Sequence, residues 1–223
     1  MTGGGTHPRE GVLLLHGLAR RAASLRPLER AFRAHGYATL DLDYPSRRHG
    51  LEELVARITP EVAAFSTRVG RLHVVTHSMG GLLARGLVTR ARPHNLGRVV
   101  MLAPPNGGSE VADALCGLRA YCWLFGPAGA QLVTRPDAAT RALLGPVDYP
   151  LGVIAGDRSL YPLASRLWLR GPNDGRVTVA ATRVAGMAEH VTLHATHALM
   201  MRNQEVIRQT LAFVRDGRFA RAG

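Results

Sequence analysis

One serine stands at a corner in the stretch RLHVVTHSMGGLLAR, residues 71 to 85. The apolar, β-branched run Leu72–Thr76 leads through His77 to Ser78, and Met79-Gly80-Gly81 opens a helix-forming segment. A serine at such a strand-to-helix turn is forced into a strained conformation, so its neighbours must be small. Gly80 and Gly81 meet that demand, while Thr76 stands where a glycine is usual. The helix beginning here directs free N–H groups and the positive end of its dipole at Ser78, with the Met79 N–H as the first donor to an oxyanion. The chemistry implied is attack by a serine hydroxyl on an acyl carbonyl, which needs a base close by.

Three late histidines compete for that role: His190, His194 and His197. The last strand-like run ends near Leu193, which puts His197 in the loop before the final helix, at the rim expected for Ser78; His194 reaches it only if the strand stops early. On a helix all three would share one face and bind zinc, but Val191, Thr192 and Leu193 favour strand, and no thiolate or HExxH pattern is present. No metal is therefore expected. Two carboxylates precede these histidines. Asp157 directly follows the fifth strand-like run, and Asp174 lies in the turn-rich GPNDGRV, where backbone N–H groups fix a carboxylate.

The elements that position these groups are strands and helices in alternation. Runs at Gly11–Leu15, Tyr37–Leu42, Leu72–Thr76, Val99–Leu102, Leu151–Ala155 and His190–Leu193 are mostly continuous apolar, as in strands covered on both faces. Between them lie helical patterns: Leu25, Leu28 and Phe32 between a Ser24 N-cap and a Gly36 stop; Leu51 to Val69, which Pro60 should kink or break; and Val206 to Val214. This predicts a roughly six-stranded, mostly parallel sheet with helices on both faces, in one domain spanning residues 1–223. Residues 104–147 exceed an ordinary crossover and carry Tyr121, Trp123, Leu124 and Phe125, either as core or as the wall of an apolar pocket in a helical cap. If the first strand lies between the second and third, the loop His16-Gly17-Leu18 meets Ser78 where strand order reverses, and the Leu18 N–H becomes the second oxyanion donor. His16 and His77 read as structural hydrogen-bonders.

HGL at 16–18, HSMGG at 77–81, DYPSR at 43–47, VMLAPPNGGSE at 100–110, NDGRV at 173–177 and THALMMRN at 196–203 resemble, in order, the motifs of the small bacterial lipases and esterases of the α/β-hydrolase superfamily. The resemblance implies the minimal α/β-hydrolase fold and a catalytic triad of Ser78, Asp174 and His197, the acid standing in an Asn-Asp-Gly context. It implies a carboxylic-ester hydrolase acting through an acyl-enzyme on lipid-like or small acyl esters, with no cofactor; an apolar pocket that excludes water would bias the last step towards acyl transfer as a side activity. A thioesterase, an amidase, a phospholipase or a catalytically silent binding module would use the same fold.

Composition narrows the field. Net charge is +12, but all 28 basic residues are Arg and they are scattered, so no nucleic-acid surface is expected. A positive field of this kind favours anionic substrates or peripheral contact with membrane surfaces. No apolar run reaches the ~18 residues of a membrane span. The polar start MTGGGTHPREG lacks the apolar core of a secretion signal, which reads as cytoplasmic. Cys116 and Cys122, on one helix, would be about 9 Å apart along its axis, beyond the reach of a disulfide.

Overall fold

The structure, a computed structural model, describes residues 9–221, except for the side chains of residues 120–122, 164, 166 and 167. Six strands, β1 (Gly11–Leu15), β2 (Ala38–Leu42), β3 (Leu72–His77), β4 (Leu96–Leu102), β5 (Leu151–Gly156) and β6 (Glu189–Leu193), form one wholly parallel sheet in the order β2-β1-β3-β4-β5-β6. The helices are α1 (Arg26–Ala34), α2 (Leu51–Ser66), α3 (Met79–Ala91), α4 (Glu110–Leu115), α5 (Arg119–Ala130), α6 (Ala138–Leu144), α7 (Pro162–Trp168) and α8 (Gln204–Asp216).

The apolar character of the strands follows from two cores, one on each side of the sheet. Leu13 and Leu15 of β1 pack into the core made with α2 and α3, whereas Val12 and Leu14 pack into the core made with α1 and α8. Successive strand side chains point to opposite faces, so both must be apolar when both faces are covered. β1 lies between β2 and β3, and the chain reverses its direction of travel across the sheet there. The crevice beyond the carboxyl ends of β1 and β3 is thus the switch point where open parallel sheets bind ligands.

Two local expectations are corrected. Ser24 does not cap α1. It lies in a 3-10 turn, Ala22–Leu25, and its hydroxyl donates to the Arg21 carbonyl at 2.7 Å; α1 starts at Arg26, with Pro27 fixing its first turn. Pro60 does not break α2, which runs as one helix of 16 residues. Leu54, Val55, Ile58, Val62 and Phe65 are buried on both sides of the proline, while Pro60 itself is exposed, so packing of the apolar stripe outweighs one lost hydrogen bond. The Gly36 stop holds: it follows the α1 C-cap with φ +88°, a left-handed conformation natural to glycine.

The segment 104–147 contributes α4, α5 and α6, and α5 bends at Gly126-Pro127. Cys116 closes α4 and Cys122 lies in α5, so they do not share a helix; the Cys122 and Tyr121 side chains lie outside the described residues. Arg85 of α3 is buried and donates to the Leu144 and Gly145 carbonyls at 3.3 and 2.8 Å, tying α3 to the C-terminal end of α6. Free helix-end carbonyls accept such a cation readily.

Candidate active site

Ser78 has φ +54° and ψ −126°, a conformation that side-chain-bearing residues rarely adopt. Its N–H donates to the Leu102 carbonyl at 2.8 Å, and its own carbonyl accepts from Gly81 N–H at 2.9 Å, so the corner is held from β4 and from the first turn of α3. A methyl group at Gly80 would stand 2.7 Å from the His16 carbonyl oxygen and closer still to that of Leu15. The absent side chain lets α3 begin directly against the end of β1. Thr76 is accommodated because it faces Gly81.

The structure brings Ser78, His197 and Asp174 into one chain of hydrogen bonds. His197 Nε2 lies 3.0 Å from Ser78 Oγ, and His197 Nδ1 lies 2.7 Å from Asp174 Oδ2. Asp174 is 2% exposed, and its second oxygen, Oδ1, accepts the Arg176 and Val177 N–H groups at 2.9 and 2.8 Å. Its backbone carbonyl accepts from His197 N–H at 3.0 Å. Because Asp174 Oδ2 accepts only, Nδ1 carries the proton and Nε2 is left to accept from the serine hydroxyl. Such a constellation transfers the hydroxyl proton to the imidazole as the oxygen attacks a carbonyl.

His77 supports this arrangement from below. It is fully buried, its Nε2 meets the His197 carbonyl at 3.0 Å, and burial, then the nearby His197, hold its pKa well below the usual imidazole range. The ring is neutral and donates Nε2–H. The other candidates are accounted for elsewhere. Asp157 and His194 pair with each other at 3.1 Å, with His194 largely exposed, and His190 meets Thr182 Oγ1 at 2.9 Å. His16 is buried, stacks on Tyr44 with ring centroids 3.9 Å apart, and accepts the Tyr44 N–H; burial lowers its pKa. It is a structural residue, as expected.

Gly17 brings the first loop against the corner: a side chain there would start 3.1 Å from Ser78 Cβ. The Leu18 N–H has no hydrogen-bond partner among the described residues, and Met79 is the first helical residue of α3, where helix geometry supplies none. Ser78 and His197 open into a cleft of about 640 Å³. Val111, Leu115, Phe125 and Leu132 give it an apolar wall, and Arg20, Arg21 and Arg176 line it too. Phe125 thus packs against the core and also lines the pocket, whereas Trp123 is 80% exposed and belongs to neither the core nor the cleft.

No protein-family model and no curated protein sequence matches the chain. Solved structures do. The mature form of the lipase BlEst2 of Bacillus licheniformis superposes with a TM-score of 0.68 at 20% identity, over 93% of this chain and 91% of that one. The metagenomic carboxyl esterase MGS0156 gives 0.69 at 18% identity, over 87% of this chain and 66% of that one. The chain has the α/β-hydrolase fold. A third match within that fold, phospholipase PlaB of Legionella pneumophila, has a TM-score of 0.61 at 16% identity, over 85% of this chain and 53% of that one. Two parts of this α/β-hydrolase site were not foreseen from sequence. The Tyr44 ring stacks on His16 and Ser46 Oγ accepts Ala19 N–H at 3.0 Å, so the loop between them is held at both ends, and Arg20 reaches the Ala198 carbonyl at 3.1 Å. DYPSR was the available signal for the first; the Arg20-Arg21 doublet carried none for the second.

Proposed function

We propose that the chain is a serine carboxylic-ester hydrolase. Ser78 is its nucleophile, His197 its general base and then acid, and Asp174 the carboxylate that orients and stabilises the imidazolium. As Ser78 Oγ bonds to the substrate carbonyl carbon, its proton passes to His197 Nε2. The Leu18 and Met79 N–H groups stabilise the oxyanion. Collapse of the tetrahedral species breaks the bond to the alcohol oxygen, which takes the proton from His197 and leaves an acyl-enzyme. Water, deprotonated by His197, then releases the acid; another alcohol in its place gives acyl transfer. No cofactor enters any step.

The observation that carries this reading is the continuous Ser78–His197–Asp174 relay, at 3.0 and 2.7 Å, opening into a cleft at the switch point of a parallel sheet. Residues 104–147 act as a cap whose Val111, Leu115, Phe125 and Leu132 receive the acyl chain. Lipid-like substrates suit the exposed apolar side chains on α5 of the cap and on the separate helix α7, where Trp123 and Leu163 are each 80% exposed. No described helix is long and apolar enough to cross a membrane. Lipase, esterase and phospholipase neighbours of the same fold support the reaction class. A fluorophosphonate probe is expected to label the wild-type protein at Ser78. Ser78→Ala is expected to abolish both labelling and p-nitrophenyl butyrate turnover while keeping the fold. A wild-type protein that binds no probe and cleaves no ester would instead be a silent binding module.

A further inference from the structure

The cleft around Ser78 has two unlike sides. One is the apolar wall of Val111, Leu115, Phe125 and Leu132; the other carries Arg20, Arg21 and Arg176. No Asp or Glu lines the cleft among the described residues. Among the described residues none of the three arginines forms an ion pair with a carboxylate, a state they share with most arginines of the chain, and what sets them apart is that all three line the same cleft. The carboxylate closest in sequence to Arg176 is Asp174, which is buried and fully engaged with His197 and backbone N–H groups. Three cations therefore sit on the loops that carry the oxyanion donor and the acid, with no anion in the cleft itself; Asp43 shares only the neighbouring hollow with Arg20 and Arg21.

We propose that this basic side binds a phosphate on the alcohol portion of the substrate, so that the ester cleaved is an acylated phospho-alcohol. This rests on the reading of Ser78 as a nucleophile and names the substrate class of that site. The apolar wall takes the acyl chain, so the scissile carbonyl is held at Ser78 with the alcohol directed away from the cap. A dianionic phosphate matches several guanidinium groups better than a single carboxylate, because each planar fork gives two parallel N–H donors to its oxygens. Arg20 is pre-positioned for this: half-buried, it is anchored to the Ala198 carbonyl through one Nη. Its pKa is lowered first by burial and then by Arg176 and Arg202, a like-charge crowding that a bound anion relieves. Phosphate binding here covers two sources, a soluble acyl phospho-alcohol and the headgroup of a single-chain phospholipid.

The test compares three esters with one acyl chain: glycerol monobutyrate, its 3-phosphate, and butyrylcholine. At low ionic strength kcat/KM is expected to be at least ~10-fold higher for the phosphate ester than for the neutral one, lowest for the cation, and to converge as salt rises. Arg20→Gln and Arg176→Gln are each expected to lower the phosphate-to-neutral ratio, and Arg176→Glu to move the preference towards butyrylcholine, an inversion that a merely structural loss does not produce. A long-chain lysophosphatidate in micelles then separates the sources. Higher kcat/KM than the butyryl phosphate ester indicates a lipid headgroup, and lower indicates a soluble ester. Equal kcat/KM for phosphate and neutral esters at low salt, or a preference unaltered in all three variants, overturns the proposal. Failure of the nucleophile reading looks different: no ester of the three is cleaved, and Ser78 takes no fluorophosphonate.

Discussion

Replacing Asp174 by asparagine tests how the relay is wired. The side chain keeps its shape but has one oxygen where there were two. In the native protein Oδ1 accepts two backbone N–H groups at 2.9 and 2.8 Å, and Oδ2 accepts from His197. The substituted amide must choose. With its oxygen towards the backbone it keeps both of those bonds and turns its NH2 to the imidazole. With its oxygen towards His197 it sets an NH2 against two N–H donors, one buried and one partly buried, at a cost of about 1–3 kcal/mol for each donor left unsatisfied. The first orientation is therefore favoured by about 3–4 kcal/mol. It makes His197 accept at Nδ1, which moves the imidazole proton to Nε2, facing Ser78, where no base remains. That tautomer shift alone reduces the competent population ~10²–10³-fold, and loss of the charge opposite the imidazolium adds about another factor of ten. The expected outcome for Asp174→Asn is a kcat for p-nitrophenyl butyrate ~10³–10⁴-fold below wild type, with the melting temperature within about 3 °C of wild type. Asp157→Asn, on the exposed pair with His194, serves as the control. Asp174→Asn activity within about tenfold of wild type, or an equal loss in Asp157→Asn with both proteins folded, refutes the wiring.

Gly80→Ala places a methyl group against two main-chain carbonyls at the end of β1, neither of which can rotate away, so α3 must lift from the sheet. The expected cost is about 2–3 kcal/mol, or roughly 5–10 °C in Tm by calorimetry, together with weaker ester turnover because Ser78 moves with the helix; an unchanged Tm contradicts this close approach. Asp41, on edge strand β2, has its pKa pushed up to about 7, first by burial and then by Glu29 and Asp43, and its Oδ1 has no hydrogen-bond partner among the described residues. Between pH 3.8 and about 7 the folded state holds this proton and the unfolded state does not, so stability falls as pH rises through that window. Discounted for partial exposure, the loss is about 1–2 kcal/mol. Asp41→Asn is expected to raise the urea midpoint at pH 8 and to flatten the decline between pH 5 and pH 8; parallel curves for the two proteins rule the effect out.

The central strands β1, β3, β4 and β5 were legible because burial on both faces leaves runs rich in Val, Leu and Ile, and all six strands fall within three residues of the expected ends. What failed was local. Ser24 and Pro60 carry strong intrinsic preferences, but a 3-10 turn ahead of Pro27 displaced the cap, and the buried stripe of α2 carried the helix through its proline. The Ser78 corner was readable because only small residues fit its backbone. The choices of Asp174 over Asp157 and of His197 over His194 could not be made from local pattern alone. The structure pairs Asp157 with His194 and Asp174 with His197, so each carboxylate candidate holds one histidine candidate. The unbalanced arginines stayed invisible for a further reason. Charge in sequence shows neither which guanidinium has a carboxylate beside it nor which lacks one, and 28 arginines conceal the three that line the cleft.

His197 is gripped at every polar atom: its ring by Asp174 and Ser78, its N–H by the Asp174 carbonyl, its carbonyl by His77. With Ser78 as the nucleophile, that clamp sets when the molecule becomes reactive. The serine leaves the ribosome 119 residues before its base. On the proposed reading of Ser78, the nascent polypeptide carries an unarmed hydroxyl throughout that interval, and reactivity arises only when the last loops lock down together.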